Sequence, residues 1–281
     1  MSKRAICAEE MGGFRTFLIS SEKSEGTIQK YIRDVRCFQV FLAGAEVTKE
    51  LAVQWKEKLI DEHYAPVTIN SMVSSINCFF RFMGWEDCRV KFLRVQRKIF
   101  RDSSRVLTRT EYERLLNVAK IQGRERLALL METVCATGIR VSEVQYITVE
   151  AVQSRVVEIS LKGKIRTILL PSRLCKKLLK YAKKQKIASG EVFLTRSGTG
   201  MSRRQVWAEM KSLCAAAKVE PSKVFPHNLR HLFARVFYKM HRDIVKLADV
   251  LGHSSIDTTR IYLISTGREH RAYIEQLGLV S

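Results

Sequence analysis

Hydrophobic positions in the first hundred residues recur at intervals of three and four, the stripe of amphipathic helices. Ile28, Tyr31, Ile32, Val35, Phe38, Phe41 and Leu42 form one stripe, with Thr27 as its predicted cap. Thr48 opens a second helix carrying Leu51, Val53, Trp55 and Leu59. Pro66 followed by Thr68 starts a third, with Ile69, Met72, Val73, Ile76, Phe79, Phe80 and Met83. A shorter helix ahead of them carries Phe14, Phe17 and Leu18. Together they predict a small helical bundle whose basic faces (Lys30, Arg33, Arg36, Lys56, Lys58) either solvate it or meet a polyanion.

Between Arg94 and Arg109 the periodicity lapses and basic residues gather: Arg94, Arg97, Lys98, Arg101, Arg105, Arg109. With Asp102-Ser103-Ser104 as a loop, this reads as a linker, either an ordinary solvated connector or a segment that tracks a phosphate backbone. A second domain opens with Thr108 or Thr110 capping a helix that carries Tyr112, Leu115, Leu116 and Val118. Leu127 to Val134 reads as a buried helix stopped near Gly138. The period then falls to two. Val157, Ile159 and Leu161 alternate with Glu158, Ser160 and Lys162, Lys162-Gly163-Lys164 turns the chain, and Ile165 to Leu170 returns before Pro171. That is a β-hairpin with a basic tip, and from Leu174 onward the pattern is mainly helical. The expected fold is mainly α with one small hairpin: a helical domain over residues 1–97, a linker over 98–107 and an α+β domain over 108–281.

Charge sharpens the picture. Across 281 residues, 49 Lys and Arg against 28 Asp and Glu give a net charge of +21. Such a surplus favours a polyanionic partner, nucleic acid or an anionic membrane surface. The membrane alternative is weak, since no apolar run approaches the roughly 20 residues needed to span a bilayer. Glu9 and Glu10 precede any apolar stretch, so no signal peptide is expected. The seven cysteines are odd in number and scattered without a CxxC pair, which argues against a zinc site or disulfide framework and for a reducing compartment. The expectation is a soluble, intracellular, basic protein.

Candidate chemistry sits in the second half. Ala136-Thr137-Gly138-Ile139-Arg140-Val141-Ser142-Glu143 places an Arg just after a glycine turn, with Glu143 one turn on to orient it. Pro226-His227-Asn228-Leu229-Arg230-His231 begins a helix with His227 and Arg230 on one face. Leu251-Gly252-His253-Ser254-Ser255-Ile256-Asp257-Thr258-Thr259-Arg260-Ile261-Tyr262 supplies a His and, nine residues on, a Tyr. Alone, each has an ordinary structural reading: an ion pair, a surface histidine, a core tyrosine.

In this order they resemble the boxes A-T-G-x-R-x-S-E, H-x-L-R-H and L-G-H-S-S-x-x-T-T-x-x-Y of the tyrosine recombinases, the phage-integrase and Xer-like family. The resemblance covers the second domain, and the helical first domain suits the family's SAM-like core-binding module. It implies a site-specific DNA recombinase that needs neither metal nor ATP and has no cofactor. Tyr262 would attack a phosphodiester to leave a 3′-phosphotyrosyl bond and a free 5′-hydroxyl. Arg140 and Arg230 would neutralise the phosphate with bidentate guanidinium forks. His253 would donate a hydrogen bond to a non-bridging oxygen or the attacking group. His227 would assist as proton acceptor or oxyanion partner, and Glu143 would hold Arg140 or a nearby histidine. The leaving oxygen needs a general acid, in the family a hairpin lysine. Lys162 matches that position, although the turn is a residue or so short and Lys164 is its rival. His231, directly after Arg230, is expected to point elsewhere on the helix and either to pack or to support the catalytic groups from behind.

The resemblance further implies a C-shaped clamp on double-stranded DNA at specific recombination sites. It implies a homotetramer, or a heterotetramer with a second recombinase, that exchanges strands through a Holliday junction in the cytoplasm, associated with the nucleoid. A tail with Arg271, Ile274, Leu277, Leu279 and Val280 would dock on a neighbouring protomer or pack back on its own domain. The length leaves no room for an arm-binding domain, so an Xer-like enzyme or a compact mobile-element integrase is expected. Basicity and the short hairpin lean toward the mobile element. The alternatives are a type IB topoisomerase and a DNA-binding accessory protein that does not cleave.

Overall fold

The computed structural model describes residues 4–95, 103–161, 164–263 and 274–278, without the side chains of residues 103, 161, 164 and 263. The chain divides into two units, Met1–Arg97 and Lys98–Ser281.

In the first unit the apolar stripes close into helices α1 (Ala8–Ser20), α2 (Glu25–Leu42), α3 (Lys49–Asp61) and α4 (Pro66–Phe82). Thr48 caps α3 through its side chain, which accepts from Leu51 N at 3.2 Å. Pro66 stands at the first turn of α4, where its missing N–H costs nothing. Thr27 does not cap α2. The helix begins three residues earlier, after Ser24, and Thr27 N donates to Ser24 O inside the first turn. The core is aromatic, with Phe14 edge-on to Phe79 at 5.1 Å and Phe38 against Trp55 at 5.3 Å.

Two polar devices tie this bundle together. Asp34, buried in α2, accepts from Lys30 Nζ at 2.6 Å, Arg33 Nη2 at 3.1 Å and Ser75 Oγ of α4 at 2.8 Å. Lys30, read from sequence as part of a basic face, is therefore largely committed inside the unit, whereas Arg33 bonds Asp34 but stays mostly exposed. Asn70 and Asn77 of α4 each bond both backbone groups of a partner, Leu93 and Val90 respectively, and so pin the extended segment after Cys88.

The second unit contains α5 (Arg109–Ile121), α6 (Glu125–Thr137) and α7 (Val149–Ser154), then strands β1 (Val156–Leu161) and β2 (Lys164–Leu169). Helices α8 (Ser172–Lys184), α9 (Arg203–Lys211), α10 (Cys214–Ala217), α11 (Pro226–His241), α12 (Ile244–Leu251) and α13 (Ile256–Leu263) follow. Thr108, not Thr110, caps α5 in a reciprocal box with Glu111. The end of the segment read as a linker packs into this unit: Leu107 is buried, and Asn228 Nδ2 donates to Arg105 O at 2.8 Å.

Leu161 pairs with Lys164 across the antiparallel hairpin, so two residues connect the strands rather than the three expected. Val157, Ile159 and Ile168 face inward as the alternation requires. Helix α6 is buried almost all round and ends at Gly138, whose φ of +64° is the left-handed stop read from the sequence. Of the tail, residues 274–278 alone are described, with Ile274 and Leu277 exposed; Arg271, Leu279 and Val280 lie outside the described residues. Among the described residues no helix is long and apolar enough to cross a membrane.

A Cβ at Gly138 would meet the Phe233 ring at 2.5 Å in a backbone conformation that already disfavours side chains. Gly138→Ala is expected to cost about 2 kcal/mol, from the left-handed strain and overpacking together. Thermal unfolding should show the transition of the second unit falling by roughly 4–8 °C, and an unchanged Tm would refute this account.

Candidate active site

Chain reversals at helix ends build the site. After Gly138 the backbone extends, and Arg140 (φ −75°, ψ 145°) caps the short 3-10 segment Val141–Tyr146. Glu143, at the third position of that segment, reaches back: Oε2 accepts from Arg140 N at 2.9 Å and Oε1 from Arg140 Nη1 at 2.7 Å. The carboxylate is buried while the Arg140 side chain keeps 40% of its surface exposed, so its guanidinium is fixed yet open to solvent.

Arg230, on the first turns of α11, is 1% exposed and is among the largest fully buried side chains. Its Nη1 donates to Gly138 O, its Nη2 to Leu251 O at 2.7 Å and to His253 Nε2 at 2.9 Å, and its Nε to Tyr262 Oη at 3.4 Å. No carboxylate touches it among these contacts. Burial pushes this guanidinium below its ordinary value, and the hydrogen bond to Tyr262 opposes that shift.

Gly252, at φ +62°, ends α12 and turns the chain into His253. His253 Nδ1 lies 2.9 Å from Thr259 Oγ1 on α13. Burial first, then the neighbouring Arg230, Arg140 and Arg166 and lastly His227, push the imidazole down to about 4, so the ring is neutral at physiological pH. Tyr262, on α13, is 5% exposed. Its ring lies 5.5 Å from His253, 5.8 Å from His227 and 4.3 Å from His231.

His231 is buried and packs, as one of its two expected readings had it, but it points toward the site and not elsewhere. His227 and His231 are four apart on α11 and share a face, their rings 4.6 Å apart, and the Tyr262 ring lies against both. Adjacency to Arg230 in sequence misled, because the side chain of Tyr262 lies across more than one row of the helix.

The structure also brings in a residue that the sequence reading passed over. Arg166 on β2 stands opposite Ile159, hence on the inward face of the hairpin. Its Nη1 donates to Glu143 Oε2 at 3.2 Å and its Nη2 to Val250 O at 3.3 Å, and its side chain packs so closely on Gly252 that a Cβ there would clash. Burial, partly offset by Glu143, pushes the guanidinium down to about 10. Among the described residues, Nε of Arg166 is the one buried side-chain nitrogen or oxygen without a hydrogen-bond partner. The period-two pattern held the signal, since an Arg two residues before inward-facing Ile168 must face inward too.

Arg140, Glu143, Arg166, Gly252, His253 and Thr258 line an open cleft of about 850 Å³. With Arg230 behind them, three guanidinium groups outnumber the two carboxylates of the lining, Glu143 and Asp249, so the cleft suits an anion. Lys162 lies outside the described residues, as does the side chain of Lys164, and the structure leaves the choice between them where the sequence left it.

Comparison with known proteins agrees with this geometry. Residues 105–268 match the phage integrase family and residues 12–87 the N-terminal SAM-like domain of phage integrases. The chain is 28% identical to the tyrosine recombinase XerA of Pyrococcus furiosus, covering 100% of this chain and 98% of that protein. It is 30% identical to XerA of Thermococcus kodakarensis, over 95% and 94% of the two chains. Its fold resembles that of a lambda integrase tetramer bound to a Holliday junction, at a TM-score of 0.70 and 18% identity over 90% of this chain and 76% of that one. The chain belongs to the phage integrase family, the tyrosine recombinases that cut and rejoin DNA strands in site-specific recombination.

Proposed function

We propose that this cleft cuts DNA by attack of Tyr262 Oη on a phosphodiester. The bond from Oη to phosphorus forms as the bond to the 5′-oxygen breaks, the phenol gives up its proton, and the 5′-oxygen takes one to leave as a hydroxyl. The strand end is kept as a 3′-phosphotyrosyl ester, so rejoining is the reverse of the same step and consumes no ATP. The observation that carries the reading is the contact of Tyr262 Oη with the buried Arg230 guanidinium at 3.4 Å.

Each group then has a task. Arg140 and Arg230 offset the negative charge that grows on the phosphate oxygens, a fixed electrostatic contribution that needs no metal in this reading. Nε and Nη2 of Arg230 form one edge of the guanidinium, and Tyr262 Oη and His253 Nε2 occupy that edge. A phosphate reaching it displaces both, which frees one to attack and the other to donate to an oxygen. Glu143 keeps Arg140 in place, and His227 accepts the phenolic proton or supports the oxyanion. Lys162 protonates the leaving oxygen. Tyr262 is nearly buried, so DNA binding has to uncover it.

The substrate is double-stranded DNA at specific sites, a partner suited to a net charge of +21. The helical unit and the basic segment after Arg94 add contacts to the same duplex. We further infer that four copies act together, as in the lambda integrase assembly of similar fold, in the cytoplasm on nucleoid DNA, as an Xer-like or compact mobile-element enzyme.

A nicked suicide duplex bearing the cognate site tests the nucleophile. Wild type should form a covalent adduct, in EDTA as well, and Tyr262→Phe should form none; an adduct that persists in the variant overturns the assignment. Arg140→Ala should slow cleavage by about 10²–10³-fold.

A 5′-bridging phosphorothiolate, whose leaving group needs no proton, should rescue Lys162→Ala and leave Arg140→Ala slow. Rescue of Lys164→Ala instead would move the general acid to that residue.

The His253 ring should titrate near pH 4 in an NMR titration of the DNA-free protein, against 6.5 for an ordinary imidazole. The unfolded chain then binds more protons between these values. The stability tied to His253 is at its full value above pH 6.5 and is lost as pH falls through that window. A midpoint at or above 6.5 contradicts this.

A further inference from the structure

His253 stands between two partners of different kind. Arg230 Nη2 lies 2.9 Å from Nε2, and Thr259 Oγ1 lies 2.9 Å from Nδ1. A guanidinium has hydrogens to give and no lone pair to offer. The ring is neutral and carries one N–H. Nε2 therefore accepts from Arg230, and the ring proton sits on Nδ1, where it is donated to Thr259 Oγ1.

This tautomer is the wrong one for the task assigned to His253. To give a hydrogen bond to a phosphate oxygen, Nε2 must carry the proton. When phosphate takes over the Nη2 of Arg230, one proton leaves Nδ1, one is taken from water at Nε2, and the ring stays neutral. Nδ1 is then an acceptor in search of a donor. Thr259 Oγ1 is the one group seen beside it among the described residues, and Thr259 is 0% exposed. A hydroxyl can accept in the first state and donate in the second by rotating about one bond, with no movement of the ring. Carbonyls and carboxylates can only accept, and amines of lysine or arginine can only donate. Thr259 lies three residues before Tyr262 on α13, so the helix that carries the nucleophile also carries this partner.

We propose that Thr259 is a positioning residue whose rotatable hydroxyl holds His253 in place through a change of tautomer, accepting from Nδ1 in the resting site and donating to Nδ1 once Nε2 serves the scissile phosphate. This rests on the reading of His253 as a donor to phosphate. Thr259→Val keeps the shape and removes the hydroxyl, and Thr259→Ser keeps the hydroxyl. In single-turnover cleavage of the suicide duplex, the Val variant should lose about 10–100-fold, the scale of leaving one buried polar group unpaired. The Ser variant should stay within a few fold of wild type, and both should bind the duplex as wild type does. In a His253→Ala background the Val substitution should add less than about 2-fold, since the partner it serves is gone. A Val variant that cleaves like wild type while His253→Ala is impaired overturns the role of Thr259 and leaves His253 standing. An equal loss in both backgrounds also overturns it. If His253→Ala itself cleaves like wild type, the reading of His253 fails first. Histidine ¹⁵N shifts of the DNA-free wild-type protein give a check independent of folding in the variants: the proton belongs on Nδ1, and finding it on Nε2 rejects the proposal.

Discussion

A positive charge buried without a carboxylate is the constraint around which the second unit is built. Taking an ion out of water costs several kcal/mol even after relaxation, and Arg230 is 1% exposed. Its backbone acceptors, Gly138 O and Leu251 O, both come from helix C-termini, those of α6 and α12. Such ends carry partial negative charge and unpaired carbonyls. Two helix ends thus converge on one guanidinium. They stabilise the cation without cancelling it, as a carboxylate would, and its charge stays available to a phosphate. Both helices stop at a glycine in the left-handed conformation, because the chain must turn at once to bring Arg140 after the first stop and His253 after the second into the same cleft.

Arg140 and Arg166 solve a different problem. Both are held by Glu143, one on each carboxylate oxygen. Without that carboxylate, three guanidinium groups would repel one another across the cleft. Arg166 also bonds Val250 O and packs on Gly252, so one side chain links the hairpin strand to the segment that presents His253. The hairpin that bears the candidate general acid is in this way registered against the groups proposed to hold the phosphate. Its lowered basicity follows from burial among like charges, and at about 10 it is still protonated at neutral pH.

What the sequence made legible was local. Helices announced themselves through three-four spacing and through caps such as Thr48 and Thr108, whose partners lie within three residues. The left-handed stop at Gly138 and the reach of Glu143 to Arg140 are likewise short-range. The residues that escaped depend on partners far along the chain. Asp34 takes one of its three partners, Ser75, from 41 residues away. Asn70 bonds Leu93, 23 residues on. Arg166 meets Glu143 across 23 residues, and His231 meets a tyrosine on another helix. Periodicity could have placed Arg166 on the inward face, but no local pattern says which acid would receive it. The start of α2 at Glu25 rather than after Thr27 shows the same limit at small scale, because two hydroxyl residues three apart, Ser24 and Thr27, both fit a cap and the backbone chose the earlier one.

The resting site is nearly satisfied in itself, and that bears on how the proposed reaction would begin. Apart from Nε of Arg166, the buried polar side-chain atoms described here have partners, so little drives the site to open spontaneously. The edge of Arg230 that would face a phosphate is occupied by two neutral acceptors, Tyr262 Oη and His253 Nε2. In both bonds only the donor is charged, whereas two anionic oxygens on the same edge would form a bidentate ion pair. On the proposed mechanism the exchange therefore favours a phosphodiester delivered in register. The two groups displaced are the ones the proposed reaction calls on, a hydroxyl to attack and an imidazole to donate. In that reading, release of Tyr262 is coupled to arrival of the phosphate, because a single guanidinium edge cannot hold both at once.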